Sequence, residues 1–176
     1  ETVGKLKFDE LSLDRLRLFL SGDNHVVASL YELILNHSVQ IVFRSLDDGA
    51  DQRAVVLTPE EALLPVGFEA DEGLLPYPKR SFLGYRLLTE MFSFPNKFHF
   101  VDLAGWSKVA KAKLGKKVEI VIFLNRAIRT LESDVDASTF RTGATPIVNL
   151  FEQIAEPISL THSRYEYRVT PDVQHP

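Results

Sequence analysis

Two groups of carboxylates are the residues best spaced for chemistry. Asp47, Asp48 and Asp51 surround Gly49, and Glu69, Asp71 and Glu72 precede Gly73. Paired carboxylates with separated pKa values serve as general acid and base. Both groups lie in Gly-bearing polar loops, where solvated acids are the ordinary outcome. A hydrolase built on them needs a cleft that brings two together. Calcium binding at 47–51 lacks the EF-hand spacing. His25, His37, His99, His162 and His175 are scattered and form no HxH, HxxxH or HExxH metal pattern. There is no cysteine, so thiolate nucleophiles, zinc-thiolate sites and disulfides are excluded. No GxSxG elbow, phosphate-binding loop or dinucleotide fingerprint occurs. No catalytic, cofactor-binding or metal-ligating residue is assigned, and no cofactor is expected.

The elements that would carry these residues follow from composition and pattern. The chain has 176 residues, 45% hydrophobic and 25% charged, with net charge −4. That suits one globular domain over residues 1–176. A net acidic chain does not carry the basic footprint of a nucleic-acid surface. No apolar run approaches the ~20 residues of a membrane span. Residues 1–10 are charged throughout and carry no signal-peptide pattern. Residues 5–8 alternate like a strand whose partner precedes them, and 170–176 read as a polar tail. The expectation is an internal fragment of a longer polypeptide.

Alternation predicts strands at 6–8, 16–20, 39–45, 53–57, 98–103, 118–124 and 165–169. The strand at 118–124 is apolar on both faces and reads as central. Asp23 caps a predicted helix over 24–36, with Val26, Leu30, Leu33, Ile34 and His37 on one face. Ser81 is the expected cap of a second helix reaching about Phe92. Leu83, Leu87 and Met91 share one side of it, and Phe82, Tyr85, Leu88 and Phe92 lie nearby. A helix apolar nearly all round is expected to be buried. Its Arg86 and Glu90 form an i,i+4 pair worth a few tenths of a kcal/mol. Thr58 opens a short turn of helix, and a short capped helix is expected within 133–140. Residues 147–155 fit strand and helix equally. The fold class is α+β: a mixed, mainly antiparallel sheet with two buried helices and long ordered loops.

With chemistry unsupported, contact surfaces remain. Pro76 and Pro78 hold residues 74–80 extended, and Leu74, Leu75, Tyr77, Lys79 and Arg80 are the first candidates for an interface. The second candidate is the irregular apolar segment with Pro146, Asn149 and Phe151. Packing of these loops for stability is the competing reading of both. The lysines at 108, 111, 113, 116 and 117 suit either a solvated edge or a partner's acidic patch. A small-ligand module would instead require an apolar pocket with a few convergent polar groups.

Longer blocks carry a resemblance. Phe19-Leu20-Ser21-Gly22-Asp23, Leu30-Tyr31-Glu32-Leu33 and Leu35-Asn36-His37 come first. Pro65-Val66-Gly67-Phe68, Leu74-Leu75-Pro76-Tyr77-Pro78, Arg80-Ser81-Phe82, Gly84-Tyr85-Arg86-Leu87-Leu88 and Phe92-Ser93-Phe94-Pro95-Asn96-Lys97-Phe98 follow in order. Thr145-Pro146-Ile147-Val148-Asn149-Leu150-Phe151 closes the set. These blocks resemble the signature of the TssF family, also called ImpG or VasA. The resemblance implies a structural subunit of the cytoplasmic type VI secretion baseplate, similar to wedge proteins of contractile phage tails. It implies TssG, a second TssF copy, TssK, TssE and VgrG as partners. It implies no catalytic activity, no nucleic acid and no membrane insertion. Members are several times longer than this chain.

Overall fold

Leu16, Leu18 and Leu20 alternate with Arg17 and Phe19, and the chain there forms strand β1 (Leu16–Leu20). In the computed structural model, which describes residues 1–2, 4, 6–47, 53–78 and 80–172, β1 is central in a four-stranded sheet. Its neighbours are β4 (Leu63–Pro65), β5 (Phe100–Leu103) and β7 (Phe140–Arg141), in the order β4-β5-β1-β7. A second sheet joins β2 (Ser38–Ser45), β3 (Ala54–Leu57) and β6 (Val118–Leu124), in the order β3-β2-β6. Every strand pair in both sheets is antiparallel.

Between β1 and β2 runs helix α1 (Asn24–Asn36), with Asp23 at its cap position. Val27, Leu30, Leu33 and Ile34 are its buried residues. Helix α2 (Pro59–Ala62) starts at Thr58, whose amide donates to Glu61 Oε2 at 3.4 Å. Helices α3 (Leu83–Ser93), α4 (Trp106–Ala112) and α5 (Leu131–Asp134) complete the set among the described residues. The class is α+β, as expected.

The core forms between the sheets and α1. Ile41 and Phe43 of β2 are fully buried, together with Leu57, Leu103, Val109 and Trp106. Trp106 organises it: Phe8 stacks on its ring at 5.3 Å, Phe43 meets it edge-on at 5.4 Å, and its indole N–H donates to Leu103 O at 2.9 Å. That bond satisfies the one polar group of a buried indole.

Several expectations are corrected. Residues 6–8 form no strand; Phe8–Glu10 is a 3-10 turn whose Phe8 reaches the Trp106 ring. The alternation that predicts a strand from 39 to 45 would set Val39 on the face of Ile41 and Phe43, but Val39 does not share it. A bulge between Ser38 and Gln40 shifts the register, and Val39 turns outward. Phe98 belongs to the 3-10 turn Pro95–Phe98 rather than to β5. The lysine-bearing stretch folds partly as α4. Strand β6 lies at a sheet edge, not at the centre. The helix expected within 133–140 is split into α5 and the 3-10 turn Ala137–Thr139.

The contacts divide the chain into two units, Glu1–Pro146 and Ile147–Pro176. The second unit holds no regular strand or helix among its described residues, and the strand expected at 165–169 is absent. An isolated bridge pairs Ala155 with Pro171. The Tyr167 hydroxyl accepts the amides of Thr161 at 3.1 Å and His162 at 3.0 Å. Ile147, Leu150, Phe151, Ile154 and Tyr165 are exposed.

Candidate functional site

Helix α3 is turned opposite to its composition. Its buried residues are Arg86 and Glu90, each 2% exposed. Leu83, Tyr85, Leu88, Met91 and Phe92 are exposed, and so is Phe82 just before it. The expectation of a helix buried by its apolar residues is therefore corrected. Ser81 is not its cap either; Phe82 takes that position, and Ser81 donates its amide to Pro78 O at 2.9 Å.

The reason lies beneath the helix. Lys97, also 2% exposed, pairs with Glu90 Oε2, and Arg86 Nε stands 4.0 Å from the same oxygen. Glu90 Oε1 accepts the amides of Leu74 at 2.8 Å and Leu75 at 3.1 Å. Arg86 donates to Ala70 O and Glu69 O, both at 2.8 Å. The loop at 69–75 thus supplies backbone partners that a solvent-facing Arg–Glu pair would take from water. A buried charge is tolerated only with such partners. Burial alone would raise the Glu90 carboxyl, but Lys97 and the two amides outweigh it and hold the pKa below its usual value.

The same loop is tied to the four-stranded sheet. Glu72 Oε2 accepts the amides of Gly67 at 2.7 Å and Glu69 at 3.1 Å, and Oε1 lies 3.7 Å from Arg17. Arg17 faces Asp102 across β1 and β5. It forks onto that buried carboxylate, with Nε to Oδ1 at 2.8 Å and Nη2 to Oδ2 at 2.9 Å. The bond to Asp102 raises the Arg17 pKa against the opposing effect of burial. Gly67 closes the arrangement: at φ +102 it places its Cα where a Cβ would lie 3.2 Å from Lys97 O.

The carboxylates singled out for chemistry bind backbone or lie apart. Glu72 holds its own loop. Asp47 accepts the amides of Lys116 at 2.7 Å and Lys117 at 3.0 Å, fastening the turn before β6. Asp48 and Asp51 lie outside the described residues, and so does His175. Among the described residues no three His, Asp or Glu side chains converge as a metal site. Among the same described residues no helix is long and apolar enough to cross a membrane.

The interface candidates fall in different places. Leu74 and Leu75 are half-buried, pinned by Glu90. Tyr77 is half-buried and lines one depression with Leu75, Pro78, Leu83 and Arg86. Arg80 is exposed, and Lys79 lies outside the described residues. The first candidate stretch therefore adjoins the apolar face of α3, which its residue pattern alone places in the core. Pro146 lines a small cavity with Phe19, Phe94 and Phe100. Asn149 and Phe151 belong to the second unit and are exposed. A separate apolar cavity of about 550 Å³ lies among Leu30, Leu33, Leu124, Ile128, Leu131 and Val135.

Comparison with known proteins agrees with this fold. The chain is 33% identical over 171 residues to the type VI secretion system component TssF1 of Pseudomonas aeruginosa, covering 97% of this chain and 27% of that protein. It therefore spans about a quarter of the length of its curated relative. A chain in the cryo-electron microscopy structure of the TssK-TssF-TssG baseplate subcomplex superposes with a TM-score of 0.63 at 25% identity, over 94% of this chain and 30% of that one. The family described as "Type VI secretion system, TssF" matches residues 1–176, and the chain belongs to that family.

Proposed function

We propose that this chain is a structural segment of the type VI secretion baseplate wedge, acting by protein–protein contact and not by catalysis. The observation that carries the reading is the outward apolar face of α3. Both charged residues of that helix are buried, so its exposed surface carries no charge. Leaving side chains such as Leu88 and Phe92 in water forgoes about 1.5–3 kcal/mol each. Contiguous apolar surface of this kind marks contact sites. Leu74, Leu75, Tyr77 and Arg80 extend the surface, and Lys79, also a candidate, lies outside the described residues. Pro146 in the first unit and, separately, Asn149 and Phe151 in the second are further contact candidates.

The named relative is a type VI secretion component, and the superposed structure is a baseplate subcomplex with TssK and TssG. That supports TssG and TssK as the first partners to test. A second TssF copy, TssE and VgrG follow in the same reading, with cytoplasmic assembly of a longer polypeptide of which this chain is an internal part. The test is co-purification with TssG and TssK, with light scattering for stoichiometry. A complex that survives Tyr85→Ser with Leu88→Ser at unchanged affinity would remove the α3 face from the interface. The absence of any complex would remove the assembly role from these 176 residues.

A further inference from the structure

Residues 145–153 carry the signals of a helix and do not form one. They belong to no strand, helix or turn, and among the described residues no hydrogen bond of the chain reaches their backbone. Ile147, Leu150, Phe151 and Ile154 are 60–79% exposed. The order of the side chains says what form would cover them. These four stand at i, i+3, i+4 and i+7, and Asn149, Glu152, Gln153 and Glu156 repeat the same spacing two residues on. On an α-helix the two sets fall on opposite faces. On a strand, Ile147 would share a face with Asn149, and Leu150 with Glu152, so alternation sorts nothing. Thr145 and Pro146 are a capping hydroxyl and a first-turn proline. Pro157 ends the run, because the residue before a proline is pushed out of the helical region. A helix over 146–155 would be about 15 Å long, too short to hold in water without a surface to pack on. The Asp172 amide donates to Ile154 O at 2.9 Å, and that bond suits a helix ending there, since the last carbonyls of a helix have no partner within it.

We propose that residues 146–155 fold into an amphipathic helix on binding, laying Ile147, Leu150, Phe151 and Ile154 into an apolar groove with a cationic rim on another subunit of the assembly. Charge selects the rim. No Lys or Arg occurs from 142 to 163, and the polar face of the helix carries Glu152 and Glu156. A groove edged with acids would repel both, and one edged with Lys or Arg would pair them. The inference rests on the assembly reading above and divides two of its contact candidates. Phe151 enters the groove, and Asn149 stays on the outward face.

The full-length protein is prepared alone and with TssG and TssK, and amide hydrogen exchange is read residue by residue. Consecutive amides from Leu150 to Ala155 should slow by roughly tenfold or more in the complex alone. Gln153 lies on the polar face, and its side chain donates to Asp172 O at 3.3 Å. Gln153→Ala and Gln153→Gly both lose that bond and leave the groove contacts in place. The glycine variant should bind about fivefold more weakly than the alanine variant, the difference in their helix propensities. Leu150→Ser with Phe151→Ser should weaken the complex by about tenfold or more. Glu152→Lys should weaken it by about threefold or more at low salt and less at high salt. All these side chains are exposed in the chain, so the fold tolerates their replacement. Protection at alternate amides, or equal affinity of the two Gln153 variants, overturns the helix. Glu152→Lys without effect overturns the cationic rim. Protection already present in the protein alone, or growing with its own concentration, overturns the partner groove in favour of the same chain or a second copy. A complex that forms with these amides still exchanging freely overturns the proposal and leaves the assembly reading standing. No complex at all overturns both.

Discussion

Glu90 accepts the backbone amide of Leu74 at 2.8 Å from inside helix α3, so one carboxylate sets both the facing of the helix and the course of the loop. Glu90 is a hub: the Leu74 and Leu75 amides donate to Oε1, Lys97 donates to Oε2, and Arg86 Nε stands 4.0 Å from Oε2. Glu90→Ala leaves Lys97 and Arg86 buried without their anion and frees two amides. Breaking one side of a buried pair costs about 3–5 kcal/mol. Urea denaturation should show a loss of that size. A loss below about 1 kcal/mol would mean that the charges find water.

The same group makes stability depend on acid. The Glu90 pKa is lowered in the folded state, so the folded chain binds its proton less readily than the unfolded chain. Its contribution is complete above the ordinary carboxylate value, about 4.3, and is lost as pH falls through the lowered folded value. Denaturation midpoints measured downward from neutral pH should fall in that acid window. Glu90→Gln should flatten the fall there while starting from a less stable protein.

A second pH effect lies higher. His99 is half-buried and stacks on Phe19 at 6.4 Å, and burial lowers its pKa. The unfolded chain therefore takes up the proton first. Stability is complete above about 6.5 and declines as pH falls below it. His99→Gln should remove this shallower decline and leave the carboxylate-range loss unchanged. NMR titration of the His99 ring gives the folded value directly.

Some of this was legible in residue order and some was not. Helix α1 could be read because its cap, its length and its apolar stripe all agree with a local pattern. Helix α3 could not, because Arg86 and Glu90 at i,i+4 look like an ordinary solvent pair. Their burial depends on Lys97 and on loop backbone at 69–75, none of it local to the helix. A faint signal exists in Gly73, where a Cβ would lie 2.6 Å from Arg86 Nη1; a glycine there makes room for a guanidinium. Strand β6 reads as central since its core-facing side is fully apolar, and Val121 and Phe123 add an outer apolar face. Composition reports the faces of a strand, not whether an edge is paired. Prolines and aromatics mark the interface candidate at 74–80, yet the rule that apolar means inside puts its larger neighbour on α3 in the core. That rule holds in one direction only.

Surface substitutions on α3 separate fold from function. Phe92 is 85% exposed and Leu88 57%, so replacing them removes little buried area. Phe92→Ser with Leu88→Ser should change unfolding free energy by no more than about 0.5 kcal/mol, the range of exposed sites. Ile41→Ala, at a position 0% exposed, should cost about 2–5 kcal/mol. If the α3 face is a contact, the double serine variant should still lose affinity for the TssG–TssK assembly by tenfold or more, since anchors of this kind cost about 2 kcal/mol or more when truncated. Ile41→Ala should lose affinity only in proportion to the fraction unfolded. Isothermal titration beside denaturation curves reads both quantities on the same samples. A double serine variant that destabilises the chain by several kcal/mol would instead make these residues part of the core.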